Sequence, residues 1–359
     1  MRTMAKPKLL VLITTGAPVA RIDHECLSNS FDVRTYRVRT APPLTYLMNM
    51  TGLFVWLAWH LPTAHGVFFR FVDYYAVVPA FLCRLFRKPL WMVLGGYDSH
   101  WFPEYHYGVY DKPLRRAACA FALRRATKLL PVHISLYEGE NSYAFDPPRG
   151  TGVRSVVKDL QTPAEELPDG FAGDFWTPGT LEEREDVVFT CASMPVVMSE
   201  QTSQIKVLLK GVLTVIETAR LVPQYRFLVA GPTNESIAFV EGDLPPNVEL
   251  MGRLTLDEMR DAYRRAKVYA HPSYSEGLPA AVAEAMLCGC TVVASSVNGI
   301  PDMMDDTGIL VDTTDPDAWA EAIRRGMQID ISTSARERIL SDYTVEGRCT
   351  RLVEILMNP

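Results

Sequence analysis

The sequence has no run of about 20 apolar residues, so it offers no segment able to cross a bilayer as a helix. The uncharged stretch 40–69 comes nearest, but Pro42, Pro43, Asn49, Gly52, His60 and Pro62 interrupt it, and it reads as a buried helix. No internal repeat is present. The seven cysteines are scattered. Cys288 and Cys290 have one residue between them and no second pair nearby, which argues against a zinc site and for buried free thiols in a reducing compartment. Gly150 and Gly152 lack the third glycine of a dinucleotide fingerprint and follow no strand, so NAD binding has no support. Basic excess is also missing: the net charge is −6, against general nucleic-acid binding. The apolar core after Lys8 is too short for a signal peptide and reads as a first strand.

What is present is ample apolar content, 48% hydrophobic over 359 residues, enough for two domains. The charge is divided unevenly. Residues 1–150 hold 18 of the 36 Lys and Arg but 10 of the 42 Asp and Glu, giving +8, and the rest of the chain carries −14. Apolar runs at 8–13, 31–38, 66–71 and 90–94 alternate with helical segments at 44–61 and 76–86. A basic helix over 112–128 and a strand over 129–133 follow. This β/α order predicts a doubly wound domain over 1–150. Residues 151–185, rich in Pro, Gly and acids, read as a linker. A second alternation over 186–333 predicts another such domain, and 334–359 a terminal helix packing back on the first. Asp315 and Asp317 flank Pro316 before an apolar helix, so Asp315 is read as a helix cap rather than a metal ligand.

The stretch from His271 to Gly289 carries the most chemistry. Its strand ends near Ala270. A loop bearing Glu276, Gly277, Leu278 and Pro279 then enters an alanine-rich helix, within which Glu284 is the lone charge. Backbone N–H groups at such a helix start suit a phosphate, and Glu284 suits the vicinal hydroxyls of a ribose. Lys206 and Lys210 stand four apart, with Gly211 opening another helix, as a pair able to clamp a diphosphate. After the strand at 90–94 come Gly95, Gly96, Asp98 and His100. Asp98 suits either orienting a sugar or acceptor hydroxyl or capping its own loop; His100 suits either proton exchange or packing.

Glu276 and Glu284 with the Gly-Leu-Pro between them resemble the paired-glutamate signature of retaining glycosyltransferases of family 4. Lys210-Gly211, Gly252-Arg253-Leu254 and Gly299-Ile300-Pro301-Asp302 follow the family's order over 186–340. The resemblance implies two Rossmann-like domains facing across a cleft, the GT-B arrangement. It further implies transfer of a sugar from a nucleotide diphosphate sugar to an acceptor hydroxyl with retention, without cofactor or essential metal. In that reading Lys210 and Lys206 bind the diphosphate, Glu276 the sugar, Glu284 the ribose, Gly252, Arg253 and Leu254 the base, and the loop at Gly16 lies near the phosphates. Asp98, His100, Glu276 and Lys210 are the candidate catalytic residues. The acceptor is a sugar, lipid-linked or other hydroxyl. The expected location is cytoplasmic, at the inner face of the membrane where Trp56, Trp59 and the basic helix meet anionic lipid. An epimerase or phosphorylase of the same fold, and a non-catalytic nucleotide-sugar-binding module, are the alternatives.

Overall fold

The computed structural model describes residues 5–14, 18–39, 43–180, 184–193, 200–240 and 242–359. They form two compact units, one of 1–139, 150–170 and 345–359, the other of 140–149 and 171–344. The segment expected as a linker is thus divided between the units, and the terminal segment is broken in two.

In the first unit the strands are β1 (Lys8–Ile13), β2 (Asp32–Arg37), β3 (Gly66–Arg70), β4 (Leu90–Leu94) and β5 (Lys128–Pro131), in the parallel order β2-β1-β3-β4-β5. β3 and β4 are buried on both faces, as their apolar composition requires of central parallel strands. The helices are α1 (Pro18–Ser30), α2 (Pro43–His60), α3 (Val77–Phe86) and α4 (Pro113–Leu123). The expected helix at 112–128 ends at Leu123, and Thr127 begins the return to β5 by bonding Leu90 O. The strands β6 (Gly139–Asn141) and β7 (Arg149–Thr151) pair as a small separate sheet, followed by the short α5 (Val153–Val156).

The second unit holds β8 (Glu185–Cys191), β9 (Arg226–Ala230), β10 (Val248–Gly252), β11 (Ala266–His271), β12 (Thr291–Ser295) and β13 (Ile309–Val311). Their order, β10-β9-β8-β11-β12-β13, is the doubly wound 3-2-1-4-5-6 order. Order reverses between β8 and β11, and such a switch point is where ligands bind in open α/β sheets. Its helices are α6 (Glu200–Leu209), α7 (Val212–Leu221), α8 (Leu256–Arg265), α9 (Ala280–Leu287), α10 (Ile300–Met304), α11 (Pro316–Gly326) and α12 (Ser332–Asp342). Asp315 caps α11, its side chain accepting from Asp317 N at 3.1 Å.

The last helix, α13 (Val345–Met357), belongs to the first unit and packs on α1. Here the expectation of free thiols throughout gives way. Cys26 and Cys349, 323 residues apart, form a disulfide with Cα atoms 5.0 Å apart. Spacing along the chain carries no sign of it, because the pairing exists only once α13 lies on α1. Cys83, Cys119, Cys191, Cys288 and Cys290 are free thiols. Beside the disulfide, Asp23, Arg70, Asp169 and Arg348 form a buried charge network. Among the described residues no helix is long and apolar enough to cross a membrane.

Candidate active site

The carboxyl end of β11 and the turn between α6 and α7 meet at Glu276. Oε1 of Glu276 accepts from Lys210 Nζ and from Ser273 Oγ at 2.7 Å, and lies 3.2 Å from His271 Nε2. Burial works against ionising this carboxyl, but the Lys210 cation and the His271 imidazole overcome it and hold Glu276 well below the usual carboxylate range. The loop is pinned from both sides. Tyr274 N bonds Leu209 O at 2.8 Å, and Asn298 Oδ1 accepts from Glu276 N at 3.2 Å and from Ser275 Oγ at 3.1 Å.

Gly211 explains how Lys210 gets there. Its φ of +67° turns the chain from α6 into α7, and a Cβ at this position would lie 2.0 Å from Pro272 O. Only glycine permits so close an approach, which places the lysine turn directly on the glutamate loop. Lys206 stands in the last turn of α6, its carbonyl accepting from Lys210 N at 3.0 Å. Burial lowers its pKa, and the neighbouring Lys210 charge lowers it further. Two lysines that repel each other are a ready receptor for a dianion.

Glu284 lies in α9, partly buried, with Oε2 3.3 Å from the Tyr263 hydroxyl that donates to it. Desolvation pushes its carboxyl up to about 7. Gly277 O accepts from Gly299 N at 3.2 Å, Leu278 is buried, and Pro279 is the N-cap of α9 rather than its first helical residue. At the end of β10, Gly252 adopts φ +61° and its carbonyl accepts from Gly231 N at 2.6 Å; Arg253 is exposed and Leu254 partly so.

In the first unit, Asp98 serves its own loop. Oδ1 accepts from Gly95 N at 3.0 Å and Gly96 N at 3.1 Å, and Oδ2 from Val72 N at 3.0 Å. Burial raises its pKa against the pull of those N–H groups. His100 is buried, its backbone N–H bonded to Gly96 O at 3.1 Å and its ring stacked on Phe102. Gly16 lies outside the described residues. The sequence alone gives no role to His271, Ser273 or Asn298. His271 carries a signal in retrospect, being a polar residue ending an apolar strand five before Glu276, whereas Asn298 carries none.

Residues 187–328 match the family model Glycosyl transferases group 1. Over 142 residues the chain is 30% identical to the D-inositol 3-phosphate glycosyltransferase of Mycolicibacterium gilvum (strain PYR-GCK), covering 36% of this chain and 32% of that protein. It is 27% identical over 117 residues to a phosphatidylinositol N-acetylglucosaminyltransferase subunit from Arabidopsis thaliana, covering 32% of this chain and 26% of that one. The matches therefore span about a quarter to a third of the length of these curated relatives. Among solved structures, sucrose-phosphate synthase from Thermosynechococcus elongatus superposes with TM-score 0.72 at 15% identity over 98% of both chains. Anabaena HepE in complex with UDP and glucose does so with TM-score 0.69 at 16% identity, over 98% of this chain and 100% of that one. At such identities the likeness shows the fold, and the fold is GT-B, two Rossmann-like domains. Through residues 187–328 the chain is thus similar in sequence to the group 1 glycosyl transferases.

Proposed function

We propose that the protein transfers a sugar from a nucleoside diphosphate sugar to an acceptor hydroxyl, with retention at the anomeric carbon. The observation that carries this reading is the Lys210–Glu276 ion pair at the switch point of the second sheet, with Lys206 one helical turn before it. On donor binding Lys210 turns to the diphosphate. There it and Lys206 neutralise charge that grows as the leaving group departs. Glu276, ionised and freed on one side, accepts from sugar hydroxyls, and Glu284 accepts from the ribose. Retention follows a front-face course, the acceptor attacking beside the leaving group, so no protein nucleophile is needed. The two relatives named above carry D-inositol 3-phosphate and phosphatidylinositol in their names. We take the acceptor here to be a hydroxyl of a sugar, lipid-linked or other molecule.

Thermal shift with UDP-, GDP- and ADP-sugars identifies the donor, because a ligand at about 100 times its Kd stabilises the folded state by about 2.7 kcal/mol. With that donor, Lys210→Ala should lower turnover on the order of 100-fold, and Lys206→Ala less. Transfer unchanged in Lys210→Ala would remove the lysine from the reaction.

Peripheral contact with an anionic membrane belongs to the same proposal, with α2 rather than the basic helix as its support. Five basic residues on and after α4 are engaged within the first unit. Arg115 grips Asp73 at 2.7 and 2.6 Å, Arg116 bonds Tyr110 O at 2.9 Å and covers Trp101, Arg124 bonds Lys158 O at 3.2 Å, Arg125 covers Phe121, and Lys128 pairs with Glu165 at 2.8 Å. α2 is the better face. Leu47, Met48, Phe54, Val55 and Trp59 stand exposed at helical spacing, Trp59 80% so, on a helix without an Asp, Glu, Lys or Arg. Between residues 33 and 97 the sequence has seven Arg and Lys and the single acid Asp73, itself held by Arg115. Exposed Arg37 ends β2 and exposed Arg39 follows it, and exposed Arg84 and Arg87 lie on and after the neighbouring α3. A second copy docked here would bring like charges together; an anionic lipid surface complements them.

A further inference from the structure

Tyr269 and His271, two apart on β11, project from one face of the strand. The Tyr269 hydroxyl lies 3.0 Å from His271 Nδ1 and 3.3 Å from Cys191 Sγ, at the end of β8. That sulfur is 3.7 Å from the Tyr263 hydroxyl, which lies 3.3 Å from Glu284 Oε2. At the other end, His271 Nε2 is 3.2 Å from Glu276 Oε1. The two glutamates are therefore the ends of two short strings, Glu284–Tyr263 and Glu276–His271–Tyr269–Cys191, which meet where Cys191 Sγ lies against the Tyr263 hydroxyl. Both tyrosines are buried completely.

Proton positions follow from the ends inward. Lys210 and His271 keep Glu276 ionised, and a carboxylate can only accept, so the hydrogen between it and His271 sits on Nε2. In the neutral ring Nδ1 is then an acceptor, and the Tyr269 O–H is the donor beside it. The Tyr269 oxygen accepts in turn from the Cys191 thiol, which burial pushes up to about 11 and thereby keeps protonated. A phenylalanine at 269 would leave Nδ1 without this donor in an apolar setting. The ring would then lose its reason to present Nε2–H to Glu276.

We propose that these two buried strings, packed together at Cys191 and Tyr263, orient the two glutamates, with Tyr269 positioning His271 and so Glu276, and Tyr263 positioning Glu284. The inference rests on reading those glutamates as the groups that hold the donor. Neither tyrosine is a catalytic residue in this scheme, because each acts through a neighbour.

The test sets Tyr269→Phe and Tyr263→Phe beside Glu276→Gln and Glu284→Gln. Tyr269→Phe should lower kcat about tenfold while leaving nucleoside diphosphate affinity by calorimetry unchanged. Tyr263→Phe should weaken nucleoside diphosphate binding about tenfold and spare kcat at saturating donor. Nitrogen-15 spectra of histidine-labelled protein should show His271 as the Nε2-protonated tautomer, and Tyr269→Phe should bring in the other. If Tyr269→Phe unfolds the protein, Cys191→Ser, which keeps a donor, should transfer better than Cys191→Ala, which has none. A His271 spectrum and a kcat both unmoved by Tyr269→Phe, while Glu276→Gln abolishes transfer, would overturn the inference and leave the donor reading standing. Transfer that survives Glu276→Gln would overturn the donor reading, and the functional half of the inference with it.

Discussion

Arg348 and Asp23, 325 residues apart in the sequence, are joined inside the first unit, Nε to Oδ1 at 2.7 Å and Nη2 to Oδ2 at 3.2 Å. Arg70 Nε holds the same carboxylate at 2.5 Å, and Asp169 accepts from Arg70 and lies 3.3 Å from Arg348 Nη1. Burial opposes the charge on Asp23, but Arg348 and Arg70 outweigh it and lower its pKa. Removing one partner of such a group strands charge in the core. Asp23→Ala should therefore destabilise the protein by about 3–5 kcal/mol in urea unfolding. Because the folded pKa lies below the unfolded one, this stabilisation is complete above the ordinary carboxylate range and is lost as pH falls through the folded value. Asp23→Asn should flatten that acid limb.

Glu284 has the opposite sign. Its folded pKa of about 7 exceeds the ordinary value of 4.5, so the native state binds the extra proton and stability falls as pH rises from about 4.5 to about 7. The full span is worth at most about 3 kcal/mol, and Glu284→Gln should remove the slope. Nucleoside diphosphate binding should strengthen as pH rises through about 7, since the ionised carboxylate is the better acceptor for ribose hydroxyls. Calorimetry across about pH 6 to 8 checks this, and a flat profile in wild type would separate Glu284 from the nucleotide.

Gly211 and Gly252 share a left-handed backbone but not their surroundings. An added methyl at Gly211 meets Pro272 O at 2.0 Å, whereas at Gly252 it meets nothing within 4 Å. Gly252→Ala should cost about 1–2 kcal/mol, the conformational term alone. Gly211→Ala should cost clearly more and also abolish transfer, because the lysine turn must lift away from the Glu276 loop. Thermal melts with activity assays on both variants decide it.

Trp59→Glu combined with Leu47→Glu should abolish sedimentation with anionic vesicles at low salt. Neutralising Arg84 and Arg87 should weaken it by roughly 1 kcal/mol per residue. Neutral vesicles should bind little. No sedimentation of the unaltered protein, together with concentration-dependent dimers that Trp59→Glu dissolves, would reassign α2 to self-association.

Much of the fold was legible because central parallel strands such as β3, β4 and β12 must be apolar on both faces, and their runs stand out between helical stretches. Glu276 and Lys210 were legible as candidate site residues, though not as partners, since 66 residues separate them and only the Gly211 turn closes the distance. α6 went unread because its polar first half shows no helical stripe. The Asp23, Arg70, Asp169 and Arg348 network comes from four distant segments, and no periodicity links them. Arg70, a charge ending an all-apolar strand, was the one local hint. The engagement of Asp98 by three backbone N–H groups depends on the curl of its loop, and a Gly-Gly-Tyr-Asp string suits either a cap or a ligand.

The return of α13 to the first unit sets an order of maturation during synthesis. The second unit's main segment, 171–344, interrupts the first, and at roughly 5–20 residues per second the ribosome spends on the order of 10–30 s making it. Throughout that interval the nascent first unit holds Asp23 and Arg70 without Arg348, and Cys26 without Cys349. The first unit's buried charges and its cysteine therefore meet their partners only after the intervening segment has been made.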